Sequence, residues 1–417
     1  MEESKPNQLT IPFTITNDDT DKHHNPKNLL VNLELAKFPF FFISKSQKVL
    51  QSRIGIDKYL TYKKLKNSGL DDETIKKMTN FNISPADFIH EEAFSIGSNN
   101  EKWTIRADAF LGFPDEFDSL VWEYFLYILS TNYYTTKKIN PYISFNKLDV
   151  INYLVSKKYF KQYYGKLYTL VDASIERLFM TRYSYSKGFY VKELNHYTAE
   201  DYMFSLIKNI YRKNTKLPNG VIVSSDYIIQ IDPVIYFNFI NNYFLISPHS
   251  LRLKLNSLQS KSLYDKLNYM LYYSLTQNTS DYIICIKYQY PVYLYLASNT
   301  LYEFLGLKYP KGKNLCKSYL ISKVKPYCDQ LIDKGFLSTY FVDRNINTNK
   351  YNFFFLVSLN YTDTFINNIH KRFKLNLSDK KKNIDFTASQ NYFSKLKSLI
   401  FEKDNLQYFS NIFSDKE

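Results

Sequence analysis

Gln162, Lys166, Thr169, Ala173 and Arg177 recur at spacings of four and three residues, which places them on one face of a helix. An ammonium and a guanidinium neutralise phosphate, while an amide, a hydroxyl and a small methyl can approach base edges. Lys161 adds charge just ahead of them. Tyr164, Leu167, Tyr168, Val171, Ile175, Leu178 and Phe179 supply the apolar side of the same helix. Arg182 then opens a β-rich run that turns at Ser186-Lys187-Gly188 and continues as Phe189-Tyr190-Val191. Helix, hairpin and basic turn in that order match a winged helix. Any surface helix has a polar face, so a solvated helix is the competing reading of this stretch alone.

The second half carries a similar set. Residues 315–334 predict a helix with Val324, Tyr327, Cys328, Leu331 and Ile332 inward, Lys317, Lys323 and Lys325 as basic members, and Gly335 as its stop. Pro326 must begin or kink that helix. Two β-rich runs, 336–342 and 351–358, flank a basic turn between Arg344 and Lys350.

These helices need partners. Pro114-Asp115 starts a helix whose stripe is Phe117, Leu120, Val121, Tyr124, Phe125, Ile128 and Leu129, and a shorter one is expected over 144–154. Downstream, a helix over 257–273, a strand over 288–296 and a short helix with a capping box at Thr300 and Glu303 repeat the order. The expected class is α+β and mainly helical, with two tandem winged-helix domains bearing small hairpin wings. Leu217-Pro218-Asn219-Gly220 reads as the break between them. The expected division is a disordered arm at 1–27, one domain at 28–216, a second at 217–358 and a basic tail at 359–417. Residues 49–100 are polar and Lys-rich, an irregular or helical insertion.

Composition narrows the function. Of 417 residues, Lys and Arg number 54 against 40 Asp and Glu, a net charge of +14, which favours a polyanionic partner. The 39 Tyr and 33 Phe beside abundant Lys, Asn and Ile fit an AT-rich coding bias and are not read as base-stacking platforms. Cys285, Cys316 and Cys328 are too few and too scattered for a disulfide framework or metal knuckle, which fits a reducing cytoplasm. The N-terminus lacks the apolar core of a signal peptide, and no run is long and apolar enough to span a membrane. Among His23, His24, His90, His196, His249 and His370 no pair flanks a single bulky residue, so the metal site of a nicking enzyme is not expected. Residues 306–314, GLKYPKGKN, miss the P-loop by one residue of spacing and by Asn314 where Ser or Thr must hold Mg²⁺. Neither metal nor cofactor is expected.

With these residues in view the chain resembles plasmid replication initiators, most closely the replication initiator protein A family. The resemblance rests on residues 32–45, NLELAKFPFFFISK, on Trp103-Thr104-Ile105, Gly112-Phe113-Pro114 and Phe117-Asp118, and on Ser144-Phe145-Asn146. It continues through Tyr164-Gly165-Lys166-Leu167 and Ile175-Glu176-Arg177-Leu178, and covers residues 29–215. It implies a non-enzymatic, sequence-specific protein that binds double-stranded origin repeats, promotes opening of AT-rich DNA and recruits host replication proteins such as the helicase. A homodimer contact through one unit is a further possibility. The alternatives are a rolling-circle nickase or relaxase, and a winged-helix transcriptional regulator.

Overall fold

The computed structural model describes residues 26–373 except 34, 39, 42–60, 63, 67, 80–88, 97–100, 109–110, 162–164, 193–195, 199–201, 217–221, 242, 278–291, 311–315 and 346–349. The arm expected at 1–27 therefore lies outside the described residues up to residue 25. Strand β1 (Asn28–Asn32) buries Leu29, Leu30 and Val31, and a 3-10 turn follows at Leu35–Lys37. The stretch expected to be an irregular or helical insertion contains helix α1 (Asp72–Thr79) and strand β2 (Ile89–Ile96), which pairs antiparallel with β3 (Glu101–Asp108). Trp103 and Ile105 of β3 are fully buried, and Phe38 stacks on Trp103 at 4.3 Å between centroids. Two of the motifs that carried the resemblance thus meet as one aromatic wall of the core.

Helix α2 (Glu116–Thr136) starts where the sequence places it, because Asp115 and Asp118 form a reciprocal capping box. Strand β4 (Tyr142–Asn146) directs Ile143 and Phe145 inward, so helix α3 (Lys147–Ser156) begins three residues later than expected, capped by Asn146. Helix α4 (Lys166–Met180) buries Leu167, Val171, Ile175 and Leu178.

The hairpin expected after α4 does not form. Strand β5 (Arg182–Tyr185) pairs with β3, whereas β6 (Tyr190–Val191) pairs with β7 (His196–Tyr197). Gly188 separates them at φ +73, with the Thr198 carbonyl oxygen 2.0 Å from where a Cβ would sit. The hairpin instead comes from β8 (Ile207–Lys216) and β9 (Ile222–Ile231), which join β4 in the order β4-β9-β8. The expected boundary between Lys216 and Leu217 thus falls between two paired strands of one sheet. Pro and Gly mark turns within a domain as readily as breaks between domains.

Asp232 caps helix α5 (Pro233–Ile240), and strand β10 (Phe244–Pro248) returns to pair antiparallel with β1. The connection between the two halves is therefore built into the fold. Helices α6 (His249–Leu253) and α7 (Leu258–Gln277) follow, then strand β11 (Tyr293–Ala297) and helix α8 (Ser298–Phe304). Helix α8 starts at Ser298, which puts Thr300 and Glu303 inside it, so the capping box expected there is not made. Helix α9 (Lys317–Asp333) remains helical through Pro326, an exposed position where water can take the place of the N–H that proline lacks.

Strands β12 (Leu337–Asn345) and β13 (Lys350–Val357) complete another three-stranded sheet, in the order β11-β13-β12. Helix α10 (Leu359–Phe373) buries Tyr361, Thr362, Phe365 and Ile366, and the Tyr361 hydroxyl donates to Asn268 of α7. The start of the expected tail is therefore core, and its remainder at 374–417 lies outside the described residues.

One order recurs: helix, strand, helix, helix, paired strands. It runs α2-β4-α3-α4-β8-β9, with β5, β6 and β7 inserted between α4 and β8, and again α7-β11-α8-α9-β12-β13 without that insertion. In the β4-β9-β8 and β11-β13-β12 sheets the strand before the middle helix pairs with the second strand of the final pair. The class is α+β. Gly188→Ala should lower stability to urea by about 1–3 kcal/mol, since it combines positive φ with a backbone clash. An unchanged midpoint and slope would show that the chain can move away from Thr198.

Candidate nucleic-acid interface

Helices α4 and α9 occupy the same place in the repeated order, and their cores share a register. Leu167, Val171, Ile175 and Leu178 are fully buried at spacings of four, four and three, as are Leu320, Val324, Cys328 and Leu331. Matching these positions pairs Thr169 with Ser322 and Ala173 with Pro326 on the side away from the core. Thr169 and Ser322 are both exposed. Neither helix has a side-chain cap: Gly165 and Cys316 stand at the N-caps, and neither first turn holds an acid. Their first N–H groups and the positive end of the helix dipole therefore suit an anion.

The same register pairs Arg177 with Gln330, both half-buried and each bonded to a residue outside its own helix. The Arg177 guanidinium donates to both carboxylate oxygens of Asp118, at 2.7 and 2.8 Å, with Asp118 fully buried. Burial pushes the Asp118 carboxyl up to about 6 against the pull of Arg177. At neutral pH it is ionised, as the two-pronged geometry requires. Gln330 accepts from the Asn256 N–H at 2.9 Å. In each unit this position holds the approach to the first helix, so Arg177, expected from its polar-face spacing to meet a groove, instead joins α4 to α2. Helical periodicity separates polar from apolar faces but cannot tell solvent from a buried carboxylate on a neighbouring helix.

The other expected residues divide as follows. Lys161, Lys166 and Thr169 are exposed at the start of α4, and Gln162 lies outside the described residues. Arg182 donates to the Ser205 hydroxyl at 2.7 Å and covers the Phe179 ring, so it too is held within the fold. Lys187 is exposed, but its turn is anchored to β3 through the Ser186 N–H and the Lys102 carbonyl and is not the tip of a wing. Lys317, Lys323 and Lys325 are exposed along α9; Lys325 pairs with Asp329 at 3.0 Å and Lys323 lies over Tyr319. Arg344 and Lys350 stand exposed at the far ends of β12 and β13, the Arg344 guanidinium over the Tyr351 ring.

The sequence reading missed the basic strand β8, where Lys208 and Arg212 are exposed. Its signal was available: four basic residues, Lys208, Arg212, Lys213 and Lys216, precede a Pro-Gly turn. Arg212 reaches Glu176 of α4 at 3.0 Å. Asp172, one helical turn earlier, takes Lys147 of α3 at 2.9 Å and the Tyr227 hydroxyl of β9. Helix α4 is thus pinned to its neighbours on both sides, which leaves its N-terminal turn and the Thr169 side as the open surface. Among the described residues no helix is long and apolar enough to cross a membrane, and no cluster of His, Cys, Asp and Glu could hold a metal ion.

No protein-family model and no curated protein matches the chain. The likeness to replication initiator protein A therefore rests on the short motifs alone. Among solved structures, selenomethionine domains 2 and 3 of RctB align over 65% of this chain and 91% of that one, at 12% identity and TM-score 0.36. A second RctB structure of domains 2–3 aligns over 66% and 93%, at 10% identity and TM-score 0.31. The Pi initiator protein in complex with iteron DNA aligns over 52% and 81%, at 16% identity and TM-score 0.31. At such scores the likeness is too loose to fix a fold or a function.

Arg177→Ala should cost about 3–5 kcal/mol in urea unfolding, because it leaves Asp118 buried without its partner. Lys317→Ala, at an exposed site, should stay within about 0.5 kcal/mol. Equal stability of the two variants would return Arg177 to the surface.

Proposed function

We propose that the chain is a non-enzymatic, sequence-specific double-stranded DNA-binding protein of the replication-initiator type, with two winged helices that set α4 and α9 into major grooves. The observation that carries this reading is the twin register of those helices within a twice-repeated order of elements. Each presents a hydroxyl outward, with exposed Lys166 at the start of α4 and exposed Lys317, Lys323 and Lys325 along α9, and basic residues follow on β8 and β12. Lys166, Thr169, Lys317, Ser322 and Lys323 make the groove contacts in this reading. Lys208 and Arg212 on β8, with Arg344 and Lys350 on the second hairpin, touch the backbone or a narrow minor groove. The net charge of +14 supports a polyanionic partner. Origin repeats as the target and host replication proteins as further partners follow from the sequence resemblance, and a cytoplasmic setting from the few, scattered cysteines. A homodimer is compatible with the same reading.

Footprinting on the DNA flanking the coding gene tests it directly. Protection should fall on repeated sites, and supercoiled plasmid carrying them should remain unnicked with Mg²⁺ or Mn²⁺. Nicked circles or a covalent tyrosyl adduct would establish the nickase alternative instead. Lys317→Ala and Lys323→Ala should weaken binding to all sequences alike, each lowering the slope of log affinity against log salt by about one unit where the lysine meets phosphate. Salt slopes identical to the parent would take α9 out of the interface.

A further inference from the structure

Glu123 lies in the middle of α2, fully buried, and gathers groups from both halves of the chain. From its own unit, the hydroxyls of Tyr153 and Tyr159 donate to Oε1. From the other, Arg252 of α6 donates through Nε to Oε2 at 3.0 Å, and the Lys261 ammonium of α7 lies 3.5 Å from Oε2. Arg252 also pairs with Asp265 of α7, Lys261 donates to the Tyr159 hydroxyl at 2.9 Å, and His249 Nε2 sits 3.1 Å from the Tyr153 hydroxyl.

Two acids, Glu123 and Asp265, face two bases, Arg252 and Lys261, so the cluster is balanced in charge. Well-packed apolar side chains would often be as stabilising as a balanced cluster of this kind, but each of these charges meets its partner only at one relative placement of α2, α6 and α7. The second unit's first helix is the element it grips. Lys261 and Asp265 of α7 face Glu123, while Leu263, Tyr264, Leu267 and Leu271 of the same helix enter the core. Pairing of β1 with β10, and donation of Lys266 Nζ to the Lys37 carbonyl at 2.9 Å, hold the same seam.

We infer that Glu123 is a positioning residue which, through Arg252 and Lys261, fixes the spacing and rotational phase at which α4 and α9 meet DNA. The inference rests on the DNA-binding reading above. One inserted base pair moves a half-site by about 3.4 Å along the duplex and about 35° around it. Two helices held on one rigid body cannot follow that displacement. A flexibly joined pair could, because its second unit binds at an effective concentration set by linker reach.

The test uses the full chain on duplexes whose half-sites are separated by the footprinted spacing, or by one base pair more or less. The parent should bind one spacing and lose at least about tenfold at the others. Glu123→Gln, and Glu123→Leu combined with Arg252→Met, should level that preference to within about threefold. Spin labels on Lys138→Cys and Asp333→Cys, with Cys285→Ser and Cys316→Ser, should give a narrow distance distribution for the parent and a broad one for both variants. A merely structural role would lower affinity at all spacings alike and leave the preference intact, which would overturn the inference. So would a parent indifferent to spacing, distance distributions unchanged in folded variants, or failure of both variants to fold. If the parent binds no DNA, the functional reading falls, and the label distances alone then decide whether Glu123 fixes the two units.

Discussion

The fold depends on a carboxylate in the wrong place for a carboxylate. Burial pushes the Glu123 carboxyl up, but the Lys261 ammonium, with His249, Arg252 and Tyr159, outweighs that and holds it well below the usual carboxylate range. It is therefore ionised within the core, and the groups that keep it so come from α6 and α7 as well as from its own unit. Removing any one charge would leave its partner stranded, a cost of about 3–5 kcal/mol. The seam between the halves is consequently specific. Strand β10 reinforces it by pairing in register with β1, so the first and second halves are tied by backbone as well as by charge.

A smaller version of the same device acts within the first unit. Asp118 caps α2 and receives Arg177 from α4, while Asp172 and Glu176 of α4 receive Lys147 and Arg212 from its flanks. Three acids on one helix pair thus convert nearby basic residues into braces. In the second unit Gln330 takes the place of Arg177 with a neutral hydrogen bond, and α9 carries three exposed lysines where α4 carries one. The two units share an architecture while differing in surface charge. An interface built from them would draw more of its phosphate neutralisation from the second.

The sequence by itself determined the elements that local chemistry controls. The helix start at Asp115, the buried positions of α2, α4 and α7 and the Gly335 stop were legible because each is set by residues within a few positions of one another; the repeated order was legible in its helices but not in the strands of its first copy. Lys166, Thr169, Lys317 and Lys323 were legible as open surface for the same reason.

The tertiary structure alone decided partners distant in the chain. Strand β5 left its expected hairpin because Trp103 and Ile105 offered β3 as a buried edge, and β8 and β9 became the hairpin instead. Arg177 and Arg182 are held half-buried within the fold because Asp118 and Ser205 lie where only folding brings them. Glu123 carried no sequence signal, since one acid in an apolar helix reads as an exposed position. Its partners Arg252 and Lys261 stand more than a hundred residues away, and a charge enters a core only where the whole fold delivers its counter-charges.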